Sequence, residues 1–349
     1  MKRQLKIYGF VFATISMLAA GPAQAVEKPL LAAASIKPIH SILSAVMKGA
    51  GPPGLIVSGA ASPHSFHLRP SESRAIRDAA LLVWVGPSLE TFLDKPIQSL
   101  RKGKGVLTLS KAHGLVRYEF RSGHDHNDHG HGHGKKGDHD HDHKDDHGKK
   151  GEHDHDHDRK HAKEHKDAHG HSHDHGDLTE DPHYWLDPEN AVVFARAMAE
   201  ALAQIDKKNA ALFAKNAKAF EKDIRLLRAR LAGELAPVSQ VEFVVFHDAY
   251  QYFEKRFGLR PAHAIAINPE TSPGARQVSE VARTIAGEKI RCIFSEPQFS
   301  PKLVKILAAK SGAKAGVIDP LGADLPAGSK LYPSLLSNMA RSIRKCHEK

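Results

Sequence analysis

Eighteen of the chain's 26 histidines fall between His124 and His175, about one at every third position, set among Asp, Gly and Lys. Imidazole is a borderline-soft nitrogen donor that suits zinc, copper, nickel and iron. A tract this dense therefore points to transition-metal binding. Its internal position and irregular spacing set it apart from an affinity tag. Residues 124–177 carry 15 Asp and Glu against 9 Lys and Arg, a local charge of −6 in a chain of net +10. Such a composition cannot bury enough apolar surface to offset ordering entropy, which predicts a loop that is disordered without metal.

Eight histidines lie outside the tract, and three of them stand at the ends of apolar runs or in the loops beyond them. His64 lies in Ser62-Pro63-His64-Ser65-Phe66-His67, His183 in Asp181-Pro182-His183-Tyr184-Trp185, and His247 directly follows Phe243-Val244-Val245-Phe246. Asp319 similarly follows Gly316-Val317-Ile318. In open α/β sheets, ligands bind beyond the carboxyl ends of the strands. Three imidazoles and one carboxylate match a tetrahedral zinc shell. A lone histidine at a strand end is more often structural; four such positions together favour a metal site. His67 competes with His64, although alternate residues of an extended stretch face opposite ways. His40, His113, His263 and His347 lack this context and read as structural or surface residues.

The elements that must position these residues are strands alternating with helices. Apolar runs over 30–35, 55–58, 81–85 and 106–109 read as buried strands, with helices over 39–48, 71–80 and 89–101. After the tract, helices over 188–204 and 207–235 precede strands over 242–246, 262–267, 290–295 and 316–318. Helices over 248–257, 275–287 and 331–345 accompany these strands, and Ser300-Pro301 supplies a cap and first-turn proline for another. The 207–235 stretch carries Leu212, Phe213, Phe220, Ile224, Leu227 and Leu231 near helical spacing. A helix of about 28 residues spans about 42 Å. The alternation predicts an α/β fold of two (βα)4-type lobes with parallel sheets. One long rigid helix joins them, and the metal site lies in the interlobe cleft. The boundaries are an N-terminal lobe over 26–206 that includes the histidine-rich loop at 121–180, an interdomain helix over 207–236, and a C-terminal lobe over 237–349.

Lys2, Arg3 and Lys6, an apolar run over 7–20 and Ala23-Gln24-Ala25 form the pattern of a secretory signal cleaved near Ala25. The apolar run is shorter than the roughly 20 residues of a spanning helix. The mature protein is thus expected outside the cytoplasm, without a lipid-anchoring Cys after the cleavage point. Cys292 and Cys346, the two cysteines, allow one disulfide in an oxidising compartment or two free buried thiols. Basic residues are scattered along helices rather than run together, so no nucleic-acid surface is read from the net charge.

These segments resemble the periplasmic zinc-binding proteins of bacterial ABC importers, in the cluster A-I (cluster 9) solute-binding family. The resemblance rests on His64 with Leu68-Arg69-Pro70-Ser71, Val83-Trp84-Val85-Gly86-Pro87, and His183-Tyr184-Trp185-Leu186-Asp187-Pro188. It extends through Phe246-His247-Asp248-Ala249-Tyr250, Ser295-Glu296-Pro297-Gln298-Phe299 and Ile318-Asp319-Pro320-Leu321-Gly322. It implies that His64, His183 and His247 bind Zn²⁺ as the transported ligand, with Asp319 or a water as fourth ligand. Many zinc members carry Glu before the first ligand histidine, where this chain has Pro63. The resemblance also implies a Cys292–Cys346 disulfide and a monomer in the periplasm. Its implied partner is an ABC permease subunit with its cytoplasmic ATPase, and a periplasmic zinc chaperone is a further candidate. The histidine tract then becomes an auxiliary collector or sensor.

Two other classes compete. A zinc hydrolase also uses three protein ligands and an open position, but neither H-E-x-x-H nor G-x-S-x-G occurs. Glu296 is its best general-base candidate; the competing role for Glu296 is to orient a ligand or Arg69. Asp248 reads as a capping residue or a support for a ligand. The A-x-A signal without an anchor argues for the periplasm over the surface location of an adhesin, and a pure metal sink has no need of two βα lobes around a cleft. The reading is therefore a carrier and not an enzyme.

Overall fold

The computed structural model describes residues 31–102, 105–121, 180–266, 269 and 271–348. The expected signal over 1–25 and the histidine tract lie outside them. Strands β1 (Ala32–Ala34), β2 (Gly54–Leu55), β3 (Leu81–Trp84) and β4 (Val106–Thr108) form one sheet in the order β2-β1-β3-β4. Strands β5 (Val244–His247), β6 (His263–Ala266), β7 (Cys292–Ser295) and β8 (Lys314–Val317) form the second, in the order β6-β5-β7-β8. Every pairing is parallel. The inner strands are buried on both faces, which is why they read as uninterrupted apolar runs. In β1, three alanines let neighbouring layers approach closely.

Helices α1 (Lys37–Val46), α2 (Pro70–Asp78) and α3 (Thr91–Arg101) follow the first strands, and α4 (Pro188–Ile205) and α5 (Ala210–Leu235) link the two sheets. Helices α6 (Gln251–Phe257), α7 (Ala275–Gly287), α8 (Lys302–Ser311) and α9 (Leu331–His347) complete the fold. The expected long helix is a 3₁₀ turn, Lys207–Asn209, followed by the 26 residues of α5, about 39 Å at 1.5 Å per residue. It buries Phe213, Phe220, Ile224, Leu227 and Leu231, whereas Leu212 is only half-buried at the edge of that face. Helix α8 begins one residue later than Ser300-Pro301 predicts, with Pro301 in the cap position and no side-chain oxygen on its first turn.

The two sheets do not have separate cores. One apolar cluster runs from β1 and α1 through α4 and α5 to α6 and α9. A smaller cluster, with Val244, Ile265, Ile285, Ile293 and Leu307, fills the space between the second sheet and helices α7 and α8. Helix α9 crosses back to pack on α1 and α5, where the Tyr332 N–H donates to Ser41 Oγ at 2.8 Å. Among the described residues, no helix is long and apolar enough to cross a membrane.

Cys292 of β7 and Cys346 of α9 are joined in a disulfide with a Cα–Cα distance of 5.9 Å, which removes the alternative of two free thiols. The bond closes a loop across 54 positions, and the chain-entropy argument gives it about 4 kcal/mol of stabilisation. Replacing both cysteines with Ser is expected to lower the unfolding free energy by about that amount. Urea denaturation checks this, and an unchanged midpoint would refute it.

Candidate metal centre

The winding of the second sheet reverses between β5 and β7, the position at which α/β sheets open a crevice for a ligand. The parallel register sets Val244 beside Ile293. Continued three residues along both strands, it sets His247 beside Glu296. His247 Nδ1 lies 2.8 Å from the Glu296 carboxylate, and its backbone N–H donates to the same group at 3.2 Å. A carboxylate accepts, so Nδ1 carries the hydrogen and Nε2 is left with its lone pair.

His183 reaches the same point from the first lobe. Asp181 accepts the His183 backbone N–H at 3.0 Å and lies 2.7 Å from His183 Nδ1. One carboxylate thus makes the turn and fixes the ring of the residue two positions on. The 3₁₀ turn Tyr184–Leu186 follows, and Asp187 caps α4 by accepting from the Glu189 N–H at 2.9 Å. Trp185 spans the cleft, its Nε1–H donating to the Pro320 carbonyl at 2.8 Å. His64 comes from the loop after β2, where its N–H donates to Ser62 Oγ at 3.3 Å.

The three rings face one another with centroids 5.3–5.8 Å apart. The Nε2 atoms of His183 and His247 are 3.4 Å apart, and ligand atoms of all three histidines lie within 4.8 Å of one another. They line a cavity of about 10 Å³ closed by Pro63, Trp185, Phe299, Pro320 and Leu321, room for one ion or one water. Asp181 and Glu296 are 1% and 2% exposed, so two carboxyl groups are buried behind the imidazoles.

Asp319 does not join this group. Its carboxylate accepts from the N–H groups of Leu321, Gly322 and Ala323 and from Gln298 Nε2, at 2.5–2.9 Å. It holds the loop that follows β8, which Lys37 Nζ also grips through the Ala323 and Leu325 carbonyls at 2.7 and 2.8 Å. His67 is exposed and outside the cluster. Glu296 orients His247 and not Arg69, whose guanidinium pairs with Glu72 at the start of α2. Asp248 pairs with Arg121, which also reaches Glu254. Among the remaining histidines, His40 is buried against the Pro53 carbonyl, His113 is exposed, and His347 lies 3.7 Å from Cys292 Sγ. His263 meets Glu242 and Glu288 at the opposite end of the sheet, but Arg260 already neutralises Glu242.

Asp181 is the positioning residue that sequence reasoning passed over, whereas Glu296 has there the orienting of a ligand or Arg69 as its competing role, and here it meets the ring of His247. Asp181 stands two residues before His183, so its turn was readable locally. Which residue Glu296 orients required the β5–β7 register.

Burial, and then the charges of His183 and His247, push the pKa of His64 well below its ordinary 6.5. The unfolded chain therefore takes up a proton at pH near 6.5 that the folded, metal-free chain refuses. Stability rises with pH wherever the unfolded state binds more protons, so this group costs the metal-free protein stability as pH falls from about 6.5. An NMR titration of His64 in metal-free protein is expected to give a midpoint below about 6.5; one above it would reverse the assignment.

The sequence matches the family described as zinc-uptake complex component A, periplasmic, over residues 33–346. The high-affinity zinc uptake system protein ZnuA of Brucella suis is 47% identical over 320 residues, 90% of this chain and 91% of that one. Its namesake in Haemophilus influenzae is 39% identical over 346 residues, 99% of both chains. A zinc-bound 138–173 deletion mutant of ZnuA has a similar structure, with a TM-score of 0.68 and 21% identity over 92% of this chain and 99% of the other. A mutant of the laminin-binding adhesin Lmb of Streptococcus agalactiae gives 0.67 and 24%, over 91% of this chain and all of the other. At these identities the structural likenesses establish the fold.

Proposed function

The chain belongs to the family of periplasmic zinc-uptake components, and from this we propose that His64, His183 and His247 capture Zn²⁺ for delivery to an ABC permease in the membrane. The observation that carries the reading is the pair of Nε2 atoms 3.4 Å apart. Two nitrogens bound to one tetrahedral zinc at about 2.0–2.1 Å are themselves about 3.3 Å apart. The donor set supports zinc over magnesium or manganese, because imidazole suits zinc and oxygen suits the harder ions. Charge supports it as well: a dication balances the buried carboxylates of Asp181 and Glu296. These carboxylates hold the ligand tautomers in the manner of outer-shell partners.

Asp319 is fully engaged by its own loop, so a water completes the zinc coordination. The relatives are transport components, and Glu296, the general-base candidate of a hydrolase, is committed to His247 Nδ1. The histidine tract collects zinc at lower affinity, and the protein works in the periplasm as a monomer after signal removal near Ala25. A zinc chaperone is a further partner for which no residue is assigned.

Zinc binding measured against a competing chelator tests the reading. His183→Ala or His247→Ala is expected to weaken the tight equivalent by 100-fold or more, an order-of-magnitude figure beyond the roughly 10–100-fold of outer-shell changes. Deleting residues 124–177 is expected to leave one tight equivalent. Loss of all tight zinc with the tract, and none with the histidine substitutions, would overturn the proposal. Affinity should also fall as pH drops below about 6.5, where protons compete for the ligands.

A further inference from the structure

A buried amide lies between the metal centre and the stem of the histidine tract. Gln251, the first residue of α6, is 4% exposed. Its Nε2 is 2.9 Å from the Glu119 carbonyl oxygen and 3.3 Å from Asp181 Oδ2. Both neighbours can only accept, so the group between them is the amide nitrogen, which has one hydrogen for each. Asp181 Oδ1 in turn takes the Nδ1 hydrogen of His183 at 2.7 Å. Three hydrogen bonds thus connect the chain entering the tract, the chain leaving it and one imidazole of the centre. Glu119 and Glu180 face each other in an antiparallel bridge beside them. The Tyr252 hydroxyl donates to the Asp181 carbonyl at 3.1 Å, so α6 grips both the backbone and the side chain of this residue.

We infer that Gln251 is a positioning residue for metal capture. It fixes the Asp181 carboxylate and through it holds His183 as the Nδ1–H tautomer, with Nε2 turned to the ion. The inference rests on the proposed role of His183 as a ligand. Its physical basis is that a buried carboxylate needs donors on both oxygens, because an unsatisfied buried acceptor is costly. The backbone N–H and ring of His183 supply Oδ1, and Gln251 supplies Oδ2. Without the amide, Asp181 gains by rotating toward another donor, and the His183 ring loses the bond that sets its tautomer. The bond also ties the tract stem to the centre, so a displacement of Glu119 reaches His183 through two side chains.

Gln251→Met in the full-length protein tests this, since it keeps the apolar stem and removes both amide hydrogens. The tight zinc equivalent, measured against a competing chelator, is expected to weaken by about tenfold, the lower end of the range for outer-shell residues. Ring ¹⁵N shifts of His183 in metal-free protein are expected to move from the Nδ1–H tautomer toward a mixture, which a purely structural loss would not produce. His183→Ala in the same assay separates the two claims. If it loses the tight zinc while Gln251→Met keeps wild-type affinity and tautomer, the inference fails and the ligand assignment stands. If His183→Ala keeps the tight zinc, the ligand assignment itself fails. Should Gln251→Met not fold, the wild-type spectrum decides: Nδ1–H supports the inference and Nε2–H overturns it.

Discussion

Two buried imidazole–carboxylate pairs, His183 with Asp181 and His247 with Glu296, are the constraint around which the structure is arranged. Moving a carboxylate out of water costs several kcal/mol even after relaxation. The fold meets that cost twice within one small cleft. In the first lobe it does so with a turn that folds Asp181 back on His183. In the second it does so with two adjacent strands in register. The opposed Nε2 lone pairs are the result, and a cation is the partner that satisfies both them and the charges behind them.

The neighbourhood is organised to keep those carboxylates in place. Arg121 is held by Asp248 and Glu254, and Arg256 by Asp187, so the cations flanking the centre are already committed. None of them approaches Asp181 or Glu296 among the ion pairs of the described residues. The Asp319 loop, gripped by Lys37 from the first lobe, forms a wall of the cavity through Pro320 and Leu321. Tyr250 is buried beside Glu296, and burial first, then the negative charge of Glu296, pushes its phenol well above the ordinary range, so it stays neutral and adds no charge of its own.

Much of this was legible in the sequence where the controlling physics is local. Strands buried on both faces announce themselves as apolar runs, and His247 is marked by its place at the end of one. His64, in the loop after β2, and His183, just before α4, stand out in company with it, since one such histidine alone is more often structural. At Asp319 the strand-end rule meets a competitor, because three backbone N–H groups of the following turn hold its oxygens. The partner of Glu296 depends on which strands lie side by side, and the pairing of Asp248 with Arg121 spans 127 positions. Neither is written in any local pattern. The helix 207–235 was readable from its apolar spacing, but its role as filling for a core common to both sheets was not.

That common core bears on how quickly the cleft can exchange its contents. Separating the halves like a clamshell would expose the faces of α1, α5 and α9 to water, at roughly 25 cal/mol for each Å² of apolar surface. No inexpensive hinge is therefore at hand. On the proposed function, ion exchange then falls to the loops around Pro63 and Leu321, which line the cavity. On that reading, residence time depends on a few loop residues at the rim and not on the separation of two halves.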